Sequence, residues 1–225
     1  MAESAGRLTA RRSALLALVV YGLQEVTVAL AFSLADSVPL FAGSLRLLGG
    51  PWVIPLTTAF WFWGVPFLIN FCVEQRGLAG LGIRVRRRHR WLYLGTGLLL
   101  IGGPAMLVGV DVPLGLEFVD QIVYIGVPEE VFNRGYVQTR LAEWKGPRWG
   151  LLLSAILFGV SHVVSRLAQQ GFRLSASTLE IGAQAFLGGL VFGYVYRRFN
   201  SIVPGAILHV ATNAYLSRIV TVVQA

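Results

Sequence analysis

Seven residues in the second half of the chain have the types and spacing to do chemistry. They are Glu129, Glu130 and Arg134 in VPEEVFNRGYVQ, Phe158 and His162 in FGVSH, and His209 and Asn213 in HVATN. Each set uses the i, i+4 spacing that puts two side chains on one helix face. Glu130 and Arg134 can pair, which a buried arginine needs. Glu129 points about 100° away around the helix and has Asn133 as its own i+4 neighbour. It therefore remains free to act as a general base on water. Pro128 lacks an N–H and frees the carbonyl of Tyr124, predicting a kink or fresh helix start just before the acids. A start there would also set both carboxylates at the favourable end of the helix dipole. His162 could share in activating the water. His209 and Asn213 supply adjacent side-chain donors of the kind that stabilise a developing oxyanion.

Each set alone also has a plainer reading. The acids and arginine could be a structural ion-pair network, and His162 a hydrogen-bonded core histidine. His209 and Asn213 could be interhelical glue worth about 1 kcal/mol. Depth along the helices favours one site. At about 1.5 Å per residue, Glu129 lies roughly 20 Å from a helix end at 142, and His162 the same distance from a start at 149. His209 and Asn213 follow the turn near 200 by about 14 and 20 Å. Three helices thus carry their odd polar residues at one level. Two of the chain's three histidines lie in these apolar runs, and the third, His89, sits in the basic run RVRRRHR.

The elements that position these groups read as membrane helices. The 225 residues are 55% hydrophobic and only 13% charged, with mean hydropathy +0.66. A soluble domain carries about 25% charged residues, so this chain has too few to cover its surface. The expected fold is all-α, a polytopic transmembrane bundle of about seven helices forming one integral membrane domain over 1–225. The helices are read at about 13–35, 52–73, 91–110, 118–142, 149–169, 177–196 and 201–221. A short interfacial helix in 36–50 would make eight. The basic run followed by apolar residues at 1–35 is longer than a signal-peptide core and lacks a convincing small-residue cleavage site, so an uncleaved first helix is expected.

The net charge of +8 does not point to nucleic acid, because the basic residues cluster in short segments between apolar runs. Arg7, Arg11 and Arg12, Arg84 to Arg90, Lys145 and Arg148, and Arg197 and Arg198 follow the positive-inside pattern. That places the N-terminus in the cytoplasm of a multi-pass cell-membrane protein, with Arg46 and Arg173 as exceptions. The run at 84–90 could also touch anionic headgroups of the lipid bilayer. Cys72, the only cysteine, excludes an intrachain disulfide and is expected to be a packing residue. Small residues at Ala155 and Gly159, and at Ala185, Gly189 and Gly193, have the spacing that lets helices approach closely. Gln24, Glu25, Glu180 and Gln184 are further polar residues in apolar helices with no evident partner in the sequence.

Glu129-Glu130-xxx-Arg134, Phe158-xxx-His162 and His209-xxx-Asn213 resemble, in order, the EExxxR, FxxxH and HxxxN/D motifs of the CPBP family. These are the CAAX proteases and bacteriocin-processing membrane proteins, also called Abi proteins. The resemblance covers about 118–216 and implies an intramembrane endopeptidase of the Ras-converting-enzyme type. It implies that Glu129 and His162 activate water and that His209 and Asn213 form the oxyanion hole, with Glu130, Arg134 and Phe158 in support. The substrate would be a membrane-associated peptide or protein, with no cofactor required. Two alternatives stand beside it. Glu129, His162 and His209 could instead ligate a divalent metal such as zinc with one position open, although HExxH is absent. The chain could also be a non-enzymatic immunity or scaffold protein with the same fold.

Overall fold

The structure is a computed structural model and describes residues 2–34, 59–85, 87–109 and 111–224. The short helix expected in 36–50, and the first part of the helix expected at 52–73, lie outside the described residues. Among the described residues the fold is all-α, with no strand. In chain order the helices are α1 (Ala2–Leu34), α2 (Phe60–Val73), α3 (90–108), α4 (Val112–Val123), α5 (126–145), α6 (Pro147–Gln169), α7 (Ala176–Phe199) and α8 (Val203–Gln224). Among the described residues, three stretches are long and apolar enough to cross a membrane: Thr9–Ser33, Pro147–Gln169 and Ala176–Phe199.

One expectation is corrected. The single helix read at 118–142 is two helices, α4 and α5, broken at Tyr124 and Ile125. Both of those N–H groups turn back to the carbonyl of Asp120, at 2.8 and 3.2 Å. Pro128 has no N–H to continue the ladder, and Gly126 passes so close to α8 that a Cβ there would lie 3.0 Å from Val210. The fresh start expected before the acids is therefore present, with Glu129 in the first turn. The same helix then widens into a π-helical stretch over Val131–Gln138. Such stretches are uncommon and recur at functional sites.

The fully buried stretch of α5 is the centre of the bundle. Val131, Phe132, Tyr136, Val137 and Leu141 have no exposed surface and pack with Ala14, Ala17 and Tyr21 of α1. Tyr21 stacks on Phe132 and donates its hydroxyl to the Leu157 carbonyl at 2.8 Å, which ties α1 to α6. The small-residue spacing does its expected work between α6 and α7. A Cβ on Gly159 would lie 2.9 Å from the Gly182 carbonyl, and one on Gly189 3.0 Å from Ala155 Cα. Gln138 donates to the Gly193 carbonyl at 3.0 Å where the third glycine lets α5 and α7 meet. Cys72 does lie on a helix, but its side chain is exposed rather than packed.

The loop after α2 is stapled onto α5 by a second buried arginine that the sequence reading passed over. Arg140 binds Glu74, the carbonyls of Gly80 and Gly135, and Asn70 Oδ1 at 2.8 Å. Its guanidinium lies over the Tyr136 ring. Arg76 forms a two-pronged pair with Glu143 at 2.7 and 3.0 Å. Those bonds raise its pKa above the ordinary arginine value despite partial burial. Gly135 permits the contact, since a Cβ there would lie 2.0 Å from the Leu81 carbonyl oxygen. Gly135→Ala is therefore expected to cost at least about 1–3 kcal/mol by overpacking. Gly97→Ala, at a helical position with open space around it, is the control. Unfolding temperatures of the two purified variants check this, and a Gly135→Ala protein as stable as wild type would contradict it.

Candidate active site

Three helices bring six of the seven singled-out residues together. Glu129, Glu130 and Arg134 come from α5, Phe158 and His162 from α6, and His209 from α8. Glu130 and Arg134 are both fully buried, with Oε2 to Nε at 3.6 Å. Nothing else with a negative charge answers the guanidinium among the described ion pairs. Two aromatic faces do the rest: Phe158 at 4.4 Å and Phe192 at 5.5 Å from the guanidinium carbon to the ring centroid. A charge so deeply buried depends on these few contacts. Glu130 uses its other oxygen on His209, with Oε1 to Nδ1 at 3.1 Å. The His209 ring is stacked flat on Phe192, centroids 4.6 Å apart, so its plane is fixed as well.

Glu129 is placed differently. Its Oε2 lies 3.8 Å from His209 Nε2 and makes no hydrogen bond. Among the described residues that histidine nitrogen is the nearest cationic candidate to its carboxylate. Asn133, its i+4 neighbour, bonds to the Glu129 backbone carbonyl at 3.0 Å rather than to the carboxylate. Glu129 lines a cavity of about 210 Å³ together with Asn133, Phe158, Ser161, His162 and Ser165. A larger cavity of about 370 Å³ between Trp63, Ile122, Val131 and Val210 has an entirely apolar lining and offers no group for hydrolysis.

His162 faces the first cavity, and its tautomer follows from its neighbour. Nδ1 lies 2.9 Å from the Phe158 carbonyl, an acceptor only, so Nδ1 carries the hydrogen. In the neutral ring Nε2 then has the lone pair. By the same reasoning His209 donates Nδ1–H to the Glu130 carboxylate and turns Nε2 toward Glu129. Of the seven, Glu129, Phe158 and His162 line the cavity, Glu130, Arg134 and His209 are joined to one another beside it, and Asn213 stands apart from both groups. It sits one turn beyond His209 on α8 and donates Nδ2–H to Gln121 Oε1 at 2.9 Å. Among the described residues no group of three or more His, Cys, Asp or Glu is disposed to hold a metal ion.

Several members of the site escaped the sequence reading. Phe192, which orients His209 and faces Arg134, looked like one aromatic among many. The outer wall of the cavity comes from Tyr21, Gln24, Val28 and Phe32 of α1 and Phe62 of α2. The steps of 3, 4 and 4 along α1 mark one helix face mixing aromatic and polar residues, and that spacing was a usable signal. Of the other intramembrane polar residues, Gln184 and Glu180 pair with each other at 3.0 Å on an exposed face. Glu25 is buried and both of its carboxylate oxygens lack a hydrogen bond.

Compared with known families, residues 112–215 match the family model described as Rce1-like, type II CAAX prenyl endopeptidase Rce1-like. No curated protein and no solved structure matches the chain. The matched segment begins at α4 and ends within α8, and so contains all seven residues. It excludes α1 and α2, which supply the outer wall of the cavity.

Proposed function

We propose, from the match of residues 112–215 to the family model of type II CAAX prenyl endopeptidase Rce1-like proteins, that the chain is a member of that family and hydrolyses peptide bonds inside the membrane with Glu129-activated water. The observation that carries the reading is the contrast between the two acids. Glu130 is committed to Arg134 and His209, whereas Glu129 borders the cavity with an oxygen free of hydrogen bonds.

In this reading a water in the cavity gives a proton to Glu129 and a hydrogen bond to the Nε2 lone pair of His162. Its oxygen attacks the scissile carbonyl, the carbonyl π bond opens, and negative charge collects on the former carbonyl oxygen. His209 and Asn213 donate to that oxygen. His209 donates from Nε2 when both ring nitrogens carry a hydrogen, and the Glu130 carboxylate at Nδ1 supplies the countercharge while Glu129 holds the proton from water. The intermediate collapses, the C–N bond breaks, and the leaving amine takes the proton held by Glu129. The carboxylate is then ready for another water. No serine or cysteine nucleophile is needed.

The substrate in this reading is a membrane-associated peptide or protein. Topology under this proposal has the N-terminus in the cytoplasm of a cell membrane, as the basic clusters suggest. Comparison of membrane-peptide profiles from wild-type and Glu129→Ala cells tests the activity. Peptides that accumulate intact in the variant are expected, and identical profiles at equal expression would support the non-enzymatic scaffold instead. Activity that survives complete metal removal is expected. Loss on removal and return on adding zinc would establish the metal-dependent version, with Glu129, His162 and His209 as ligands.

The α1 wall gives a separate prediction. Val28 is buried at the cavity, so Val28→Trp is expected to fill it and displace the substrate from the acid. A misplacement of about 1 Å can cost 10²-fold, and a fall of about that size in kcat/KM is expected with the unfolding temperature retained. Steady-state kinetics on the purified variant would show it, and unchanged kinetics would remove α1 from the substrate path.

A further inference from the structure

We infer that Glu117 and Gln121, on α4, are positioning residues that set which way the Asn213 amide faces. The inference rests on the proposed reaction, in which Asn213 donates to the oxyanion. An asparagine amide has one acceptor end and one donor end, and only the donor end can serve there. Flipped, its carbonyl would present negative charge to negative charge. Asn213 itself has no means of choosing.

A chain of two hydrogen bonds makes the choice. Glu117, when ionised, is an acceptor only. Gln121 therefore turns its NH2 group to Glu117, with Nε2 to Oε1 at 3.0 Å. That leaves the Gln121 carbonyl facing α8, where it accepts from Asn213 Nδ2 at 2.9 Å. The Asn213 NH2 group is thereby held toward α4. It carries two hydrogens, so one stays with Gln121 and the other remains for an oxyanion. Glu117 and Gln121 are 6% and 4% exposed, so water does not compete for these bonds.

The helix that carries the chain is itself anchored. Asp111 caps its start by accepting from Leu114 N at 2.9 Å, and Trp63 donates to the Val123 carbonyl at its end at 2.8 Å. Phe118 packs edge-on against Tyr215 of α8, centroids 5.5 Å apart, which fixes the spacing between the two helices. A polar chain in an apolar bundle costs stability if any link is left unpaired. Leucines would pack α4 against α8 equally well, so the amide-orienting role gives this chain a reason to be polar.

The test uses the full chain in proteoliposomes with a farnesylated peptide ending in a CAAX box. Gln121→Leu and Glu117→Gln are each expected to lower kcat by about 10–100-fold, short of the 10²–10³ for removing an oxyanion donor outright, with KM within about twofold. The exchanged pair E117Q/Q121E has the same shape as the native pair. It puts a carboxylate beside Asn213 and an amide behind it, so the polarity is rebuilt and kcat should return to within about threefold of wild type. The same exchange should recover the unfolding temperature that Glu117→Gln loses, a readout that needs no substrate. Wild-type kcat in Gln121→Leu and Glu117→Gln, beside a slow Asn213→Ala, would overturn the inference, and so would an exchanged pair that recovers neither quantity. Wild-type kcat in Asn213→Ala would instead overturn the oxyanion role on which the inference rests.

Discussion

Glu129→Gln is expected to lower kcat by about 10²–10⁴-fold, the range for loss of a positioned general base. KM and the unfolding temperature should stay close to those of the wild type. The substitution keeps the shape of the side chain and removes its ability to take a proton. Little structure depends on that ability, because the nearest cationic candidate, His209 Nε2, is 3.8 Å away and the free oxygen has no hydrogen bond. The fall should therefore appear in the chemical step alone. Steady-state kinetics and a thermal melt on one preparation check both halves. A protein that loses stability as well would make Glu129 a structural group.

Glu130→Ala should behave in the opposite way. It strands Arg134, which is fully buried and has no other carboxylate partner among the described residues, and it takes the acceptor from His209 Nδ1. Breaking a buried pair by removing one partner costs about 3–5 kcal/mol, a large share of the 5–15 kcal/mol that holds a typical protein folded. The aromatic faces of Phe158 and Phe192 soften this loss without replacing the charge. A marked fall in unfolding temperature and in yield is expected, with activity lost as a consequence. Thermal melts of the two glutamate variants side by side measure the contrast. Adjacent residues of the same type should thus fail for different reasons, and equal stability in the two would contradict the division of labour.

That division was legible in the sequence because it follows from helix geometry. Residues i and i+4 share a face and adjacent residues do not, so Arg134 had to belong with Glu130. The helix start at Pro128 was legible for a similarly local reason. What was not legible depended on contacts distant in the chain. Nothing local says that Phe192 lies flat on His209, or that Arg140 reaches back some 66 residues to Glu74. The break between α4 and α5 was not legible because a helical pattern through 118–123 looks the same whether or not its backbone continues. The break depends on the close approach of Gly126 to α8. Asn213 shows the same limit in reverse. Its spacing from His209 was plain, but its partner, Gln121, lies 92 residues away on another helix.

The central claim is that this chain cuts peptide bonds and that Glu129 is the base. Wild-type and Glu129→Gln proteins, purified, stripped of metal and reconstituted in proteoliposomes, can be given one farnesylated peptide ending in a CAAX box. Mass spectrometry then reads the products. The account predicts a peptide cut at one internal bond by the wild type and left intact by the variant. An intact peptide with both proteins, or equal cutting by both, would contradict it.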